Sequence, residues 1–171
     1  LCKRLREWIY AGLLLRVSRV SKPGLPLDAY RDLNAFKLYF LDVGLLSAAS
    51  RLNLKTVVDG SSLFEEFKGA LTEQYACQQL VATGRLVPYY WSAENSIGEV
   101  DFLYDYEGRV VPVEVKAKTN LKGKSLSSFA KKYGIEHSLR LSLAGFKGQG
   151  WVTNMPLYAA NLLPEVFEAV V

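Results

Sequence analysis

The apolar positions of this chain change their period several times, and each change marks an element. Lys3 to Leu13 reads as a helix and Leu14 to Val20 as a strand; Ser21 to Pro26 carries the Pro and Gly of a turn, and Phe36 to Leu46 is a second apolar stretch. Ser62 followed three residues later by Glu65 forms a capping box. It opens a helix whose apolar residues recur from Leu63 to Val81, with Gly84 as its stop. Three strand-like runs follow, Leu86 to Trp91, Glu99 to Tyr104 and Val110 to Ala117, the last two joined as a hairpin around Glu107-Gly108. Lys124 to Tyr133 reads as a helix ended by Gly134, Ser138 to Leu143 as a strand, Trp151 to Thr153 as a short strand and Pro156 to Val170 as the last helix.

From the long helix onward the order is α-β-β-β-α-β-β-α. An antiparallel hairpin followed by a βαβ crossover implies an α/β fold, with a mixed sheet between helices on both faces. The opening helix and hairpin resemble the end of a winged helix, expected over residues 1–47. A boundary is expected in the stretch Ala48 to Ser62, where Asn53, Asp59, Gly60, Ser61 and Ser62 cluster, so residues 48–171 form the second unit.

At 171 residues with half of them apolar, the chain is long enough to bury a core without staples, and its composition excludes disorder, collagen and coiled coil. No apolar run approaches the roughly 18 residues of a membrane span. Two cysteines, Cys2 and Cys77, make no disulfide framework, so the cytoplasm is the expected compartment. Position 1 is Leu, and the first ten residues lack signal-peptide architecture, so a fragment of a longer protein is expected. The net charge of +4 is segregated. Residues 1–60 carry 10 basic and 5 acidic groups, residues 61–107 carry 2 and 8, and residues 108–171 carry 9 and 4. The basic flanks are compatible with a nucleic-acid surface.

The acids in the middle carry the chemistry. In Val110-Val-Pro-Val-Glu-Val-Lys-Ala117, alternation puts Glu114 and Lys116 on one face. A two-residue turn at Glu107-Gly108 pairs Tyr106 with Arg109 and sets Asp101 opposite Glu114, so two carboxylates and an amine are expected to converge. Glu73 interrupts the helical stripe of Ala70, Cys77 and Leu80, adding a third carboxylate. Such a cluster calls for a divalent cation, and oxygen ligands suit Mg²⁺ or Mn²⁺ rather than zinc; the single histidine, His137, is no zinc site. Asp101, Glu114 and Glu73 are the expected metal ligands. Lys116 would orient a water or bind phosphate, giving metal-assisted phosphodiester hydrolysis.

Several features have plainer readings. Glu99 shares the face of Asp101, where it would be a further ligand, but better fits a solvated strand end, while Glu65 and Glu66 fit a helix start. Gly123-Lys124-Ser125 lacks the earlier glycine of a phosphate loop, because Lys118 stands in its place. The lysines 116, 118, 122, 124, 131 and 132 fit a solvated face, or positive charge beside a phosphate backbone. Tyr89 and Tyr90 fit core or edge packing better than stacking on bases, Trp91 and Trp151 fit packing, and Cys77 fits the core.

Asp101, the Glu114-Val115-Lys116 strand and a preceding helix with Glu73 resemble the PD-(D/E)XK superfamily of restriction-endonuclease-like folds, although Val100 stands where Pro often precedes the Asp. More locally, Phe36 to Leu45, Gly69 to Leu80, Tyr90-Trp91, Glu99 to Leu103, Val113 to Lys116 and Pro156 to Tyr158 are similar to the C-terminal module of bacterial P-loop (AAA-type) ATPases, a domain of unknown function. The resemblance implies a three-layer α/β/α, restriction-endonuclease-like fold and an ATPase domain absent from this chain, which alone would bind ATP. It further implies a site with Asp101, Glu114, Lys116 and Glu73 as catalytic residues, binding Mg²⁺ and acting on or binding DNA. The alternative is an inactive nuclease-like module that binds a partner protein or assembles the ATPase.

Overall fold

The computed structural model describes residues 3–51, 62–93, 98–118 and 123–170. Eight strands form one sheet: β1 (Leu14–Val20), β2 (Arg31–Phe40), β3 (Tyr89–Ser92), β4 (Glu99–Tyr106), β5 (Arg109–Lys116), β6 (Ser138–Ser142), β7 (Lys147–Gln149) and β8 (Val152–Pro156). Their spatial order is β2-β1-β3-β4-β5-β6-β8-β7. The pairs β1/β3, β5/β6 and β6/β8 are parallel and the others antiparallel, so the sheet is mixed. The helices are α1 (Lys3–Tyr10), α2 (Val43–Ala49), α3 (Ser62–Ala82), α4 (Lys124–Tyr133) and α5 (Leu163–Val170). No helix among the described residues is long and apolar enough to cross a membrane.

Each face of the sheet has its own core. Ala76, Cys77 and Leu80 of α3 and Leu163 and Phe167 of α5 pack on Val17, Phe102, Tyr104, Val111, Val113, Leu139, Leu141 and Met155. Leu126 and Phe129 of α4 pack on Val20, Tyr89, Trp91, Val100, Leu103 and Val152. Residues that alternate along a strand therefore go to different cores, as a sheet covered on both sides requires.

Turn chemistry sets the boundaries. Gly12, with φ +71°, ends α1 three residues short of the expected Leu13 end, because a left-handed residue cannot continue the helix. Gly84 and Gly134, at φ +65° and +66°, follow α3 and α4 as expected. Glu107 and Gly108 both take positive φ, 48° and 75°, the requirement of a type I′ turn, and Tyr106 pairs with Arg109.

The differences from expectation are local. The stretch Phe36 to Leu46 is divided between β2 and α2, because the Asp42 side chain caps the Leu45 N–H and starts a helix that includes Ala48 and Ala49. β1 pairs with both β2 and β3, so the strands of residues 1–47 belong to the same sheet as the rest. The expected helix from Pro156 to Val170 begins as strand β8, passes through a 3-10 stretch at Leu157–Leu162 and becomes α-helical only at Leu163, with Pro164 at its start, where a proline's missing N–H costs nothing. Strand β7, three exposed residues with no apolar alternation, carried no pattern to read. Cys2, Lys122, the loop cluster Asn53 to Ser61 and the side chains of the Ser62–Glu65 capping box lie outside the described residues.

Candidate metal centre

An extra residue in β4 builds the site. Tyr89 pairs with Leu103 and Trp91 with Val100, so two steps along β3 match three along β4. The bulge falls at Asp101 and Phe102. Val100 and Leu103 enter the α4-side core and Phe102 enters the α3-side core, which leaves Asp101 beside Phe102 on the α3 side. Beyond the Phe102–Val113 pair, the Val115 N–H donates to Asp101 Oδ2 at 2.7 Å, so the carboxylate takes over where the regular ladder stops.

α3 crosses this end of the sheet and brings Glu73. One carboxylate oxygen from each of Glu73, Glu99 and Asp101 lies within 4.8 Å of the other two. Lys37 of β2 reaches the same point: its Nζ is 2.7 Å from Glu73 Oε1 and 2.5 Å from Glu99 Oε1, and it lies 5.2 Å from the Tyr90 ring centroid. Tyr39, two residues along β2 and so on the same face, donates its hydroxyl to Glu73. A cleft of about 320 Å³ opens beside these groups between β2, α2 and α3, with Gln74 closing one wall by bonding both the N–H and the C=O of Phe40.

Among the described residues, the ammonium of Lys37 faces the three carboxylates. Burial, with Glu73 nearby, pushes the Asp101 carboxyl up to about 7, and the Val115 N–H and Lys37 only partly oppose this. Burial also works against the Lys37 charge, but Glu73 and Glu99 outweigh it and hold the ammonium well above the usual lysine range. Burial and Glu73 together raise the Tyr39 hydroxyl far above its ordinary value, so it stays a donor. An excess of carboxylate oxygen, from the exposed Glu99 and the partly buried Glu73 and Asp101, fits a hard divalent cation such as Mg²⁺ or Mn²⁺.

Of the four site residues expected from sequence, the structure brings Glu73 and Asp101 together and puts Glu114 and Lys116 elsewhere. Glu114 is 4% exposed and lies between Arg140 Nε at 3.2 Å and Lys116 Nζ at 2.9 Å. Arg140 is its cross-strand partner on β6, and the neighbours Val113, Leu139 and Leu141 all face the α3 side, so the Glu114–Arg140 pair points to the α4 side. The expected convergence of Asp101 with Glu114 and Lys116 assumed a regular β4; the bulge turns Asp101 to the other face.

Glu99 joins the cluster, where a solvated strand end was the simpler expectation. Lys37 and Tyr39 were missed altogether. Their alternation in Phe36-Lys-Leu-Tyr puts them on one face, but nothing in the spacing says that β2 meets α3 at Glu73. Tyr90 lies beneath Lys37, whereas Trp91 packs on Phe129 and Tyr133 as expected, at centroid distances of 5.0 and 5.9 Å.

No curated protein and no solved structure shows significant similarity to the chain. Residues 68–158, more than half of the chain and including Glu73, Glu99, Asp101, Glu114 and Lys116, match the family described as Domain of unknown function (DUF4143), and the chain belongs to that family.

Proposed function

We propose that the chain is a divalent-cation-dependent phosphodiesterase module of nuclease type, with Glu73, Glu99 and Asp101 as the ligands of Mg²⁺ or Mn²⁺ and DNA as the substrate. The observation that carries this reading is the three-carboxylate cluster at the β4 bulge, where, among the described residues, the Lys37 ammonium leaves an excess of negative charge. A bound cation would lower the pKa of a water and stabilise charge developing on the phosphate. The protein's own groups hold the cluster in shape: the Val115 N–H fixes Asp101 and the Tyr39 hydroxyl fixes Glu73. The order helix with Glu, bulged strand with Asp, then Glu-Val-Lys strand supports a PD-(D/E)XK, restriction-endonuclease-like ancestry. The resemblance to C-terminal modules of bacterial P-loop ATPases supports a place in such a cytoplasmic ATPase, whose own domain would bind ATP.

A second reading is favoured by one observation. Glu114 is neutralised in a closed site by Lys116 and Arg140, as befits an inactive module that binds a protein partner or assembles the ATPase. Titration calorimetry with Mn²⁺ and Mg²⁺ on the wild type and on Asp101→Asn, followed by incubation with supercoiled DNA, separates the two. Binding that disappears in the variant, with metal-dependent nicking, supports the phosphodiesterase; no binding at millimolar metal supports the interaction module.

A further inference from the structure

Hydrolysis of a phosphodiester builds negative charge on the nonbridging oxygens, and a fixed cation beside them lowers the barrier. The sequence expectation gives that role to the lysine of the Glu-Val-Lys strand. Here that lysine is Lys116, whose Nζ pairs with Glu114 on the α4 side of the sheet. The ammonium that lies among the carboxylates belongs to Lys37, on β2 and outside the residues 68–158 that carry the family match. Its position is fixed from three directions: Glu73, Glu99 and the face of Tyr90.

The charges also balance with Lys37 in place. Among the described residues, three carboxylates against one ammonium and one divalent ion sum to zero, so a cation entering the cluster has no electrostatic reason to expel the lysine. We propose that Lys37, rather than Lys116, is a catalytic residue of this site, its ammonium donating to a nonbridging oxygen of the scissile phosphodiester. This rests on reading the carboxylate cluster as a cation-dependent phosphodiesterase site. In the step it assists, a water oxygen bonds to phosphorus as one ester P–O bond breaks. The water's proton passes to solvent and the departing alkoxide takes one from solvent, so Lys37 keeps its protons and acts by its charge-assisted hydrogen bond, without transferring a proton. The consequence is that β1 and β2 are part of the site: a chain cut after residue 47 would retain the family-matched carboxylates and lose the ammonium.

The test uses the 171-residue chain as wild type, Lys37→Met, Lys37→Arg and Lys116→Met, with Mn²⁺ calorimetry, nicking of supercoiled DNA in Mn²⁺ and thermal melting on each. All four are expected to bind Mn²⁺, Lys37→Met at least as tightly as wild type because it removes a competing charge. Nicking by Lys37→Met should fall about 100-fold or more, the order of loss for a transition-state donor. Lys37→Arg should recover part of this, and Lys116→Met should stay near wild type. If Lys37→Met does not fold, Lys37→Gln, which retains a donor without the charge, takes its place with the same expectation. Nicking by Lys37→Met at the wild-type rate overturns the inference, as does an equal loss in Lys116→Met, or a wild type that binds Mn²⁺ and nicks nothing. A wild type that binds no Mn²⁺ overturns the phosphodiesterase reading itself, and the role of Lys37 with it.

Discussion

Asp101 and Glu114 each adjoin the Phe102–Val113 pair on the adjacent strands β4 and β5, yet their side chains serve opposite faces of the sheet. The Phe102–Val113 pair next to them keeps the hairpin register, but the bulge at Asp101 and Phe102 turns Asp101 toward Glu73, while Glu114 stays in regular alternation and meets Arg140. One inserted residue thus divides the acidic and basic groups of the domain into an open, negatively charged cluster and a closed, paired one.

The division predicts that the two acids answer differently to neutralisation. Asp101→Asn should abolish Mn²⁺ binding in calorimetry, whereas Glu114→Gln should bind Mn²⁺ as wild type does and instead unfold at lower urea. Equal loss of binding in both variants would mean that the carboxylates act together after all.

Arg140 should matter more to stability than any surface cation. Its side chain is 5% exposed and its Nε bonds Glu114, so Arg140→Leu leaves a buried carboxylate paired with the partly exposed Lys116. Breaking one side of such a pair costs about 3 kcal/mol, and replacing both sides by apolar residues recovers most of it. Urea unfolding of Arg140→Leu, Glu114→Leu and the double variant measures this directly, and additive losses would contradict it.

Gly123, the residue before α4, lies against the same carboxylate. A Cβ at that position would collide with both Glu114 carboxylate oxygens, so a side chain is excluded by space rather than by backbone conformation. Gly123→Ala should therefore destabilise the chain by about 1–3 kcal/mol, as overpacking does. The same substitution should be nearly silent in a Glu114→Ala background, and a cost that persists there would place its cause in the backbone.

Much of this architecture was legible in the residues. Alternation in Val110 to Lys116, the Glu107-Gly108 turn and the Cys77 and Leu80 positions of the expected stripe specify β5, the hairpin register and the buried face of α3, because each is a local signal with a fixed period, whereas Ala70, expected on the same stripe, is exposed. The position of Glu73 on that stripe marked it as a carboxylate in need of a partner. The bulge was not legible: Val100-Asp-Phe-Leu103 reads as regular alternation, and the extra residue enters through pairing with β3, with six residues of chain between the end of β3 and the start of β4. Lys37 was hidden for the same reason, since its contact with Glu73 spans 36 positions and depends on β2 lying at the edge beside α3.

Cys77 tests how closed the core beneath the cluster is. It is fully buried on α3, one turn after Glu73, and burial first, then the Glu73 charge, pushes its thiol up to about 12. The thiolate is the reactive form, so at pH 8 alkylation of Cys77 should be undetectable in native protein and complete in urea. Peptide mapping after iodoacetamide treatment reads this site separately from Cys2. Rapid native labelling would mean that α3 opens readily over the sheet.

The Asp101 carboxyl gives the stability a pH dependence opposite to that of most paired acids. Its folded value of about 7 lies above the unfolded 3.8, because burial and Glu73 disfavour its charge. Below about pH 4 both states hold the proton and the group contributes no slope. Between there and pH 7 the unfolded chain releases a proton that the folded chain keeps, so stability from this group falls as pH rises, and it levels off above 7. Asp101→Asn, which keeps an acceptor for the Val115 N–H and carries no titrating proton, should flatten this slope. Added Mn²⁺ should raise the wild-type melting temperature most above pH 7, where the carboxylate is already free, and leave Asp101→Asn unmoved. Thermal melts from pH 5 to pH 8, with and without metal, measure both effects, and a wild type whose stability rises through that window would show that Lys37 compensates all three carboxylates by itself.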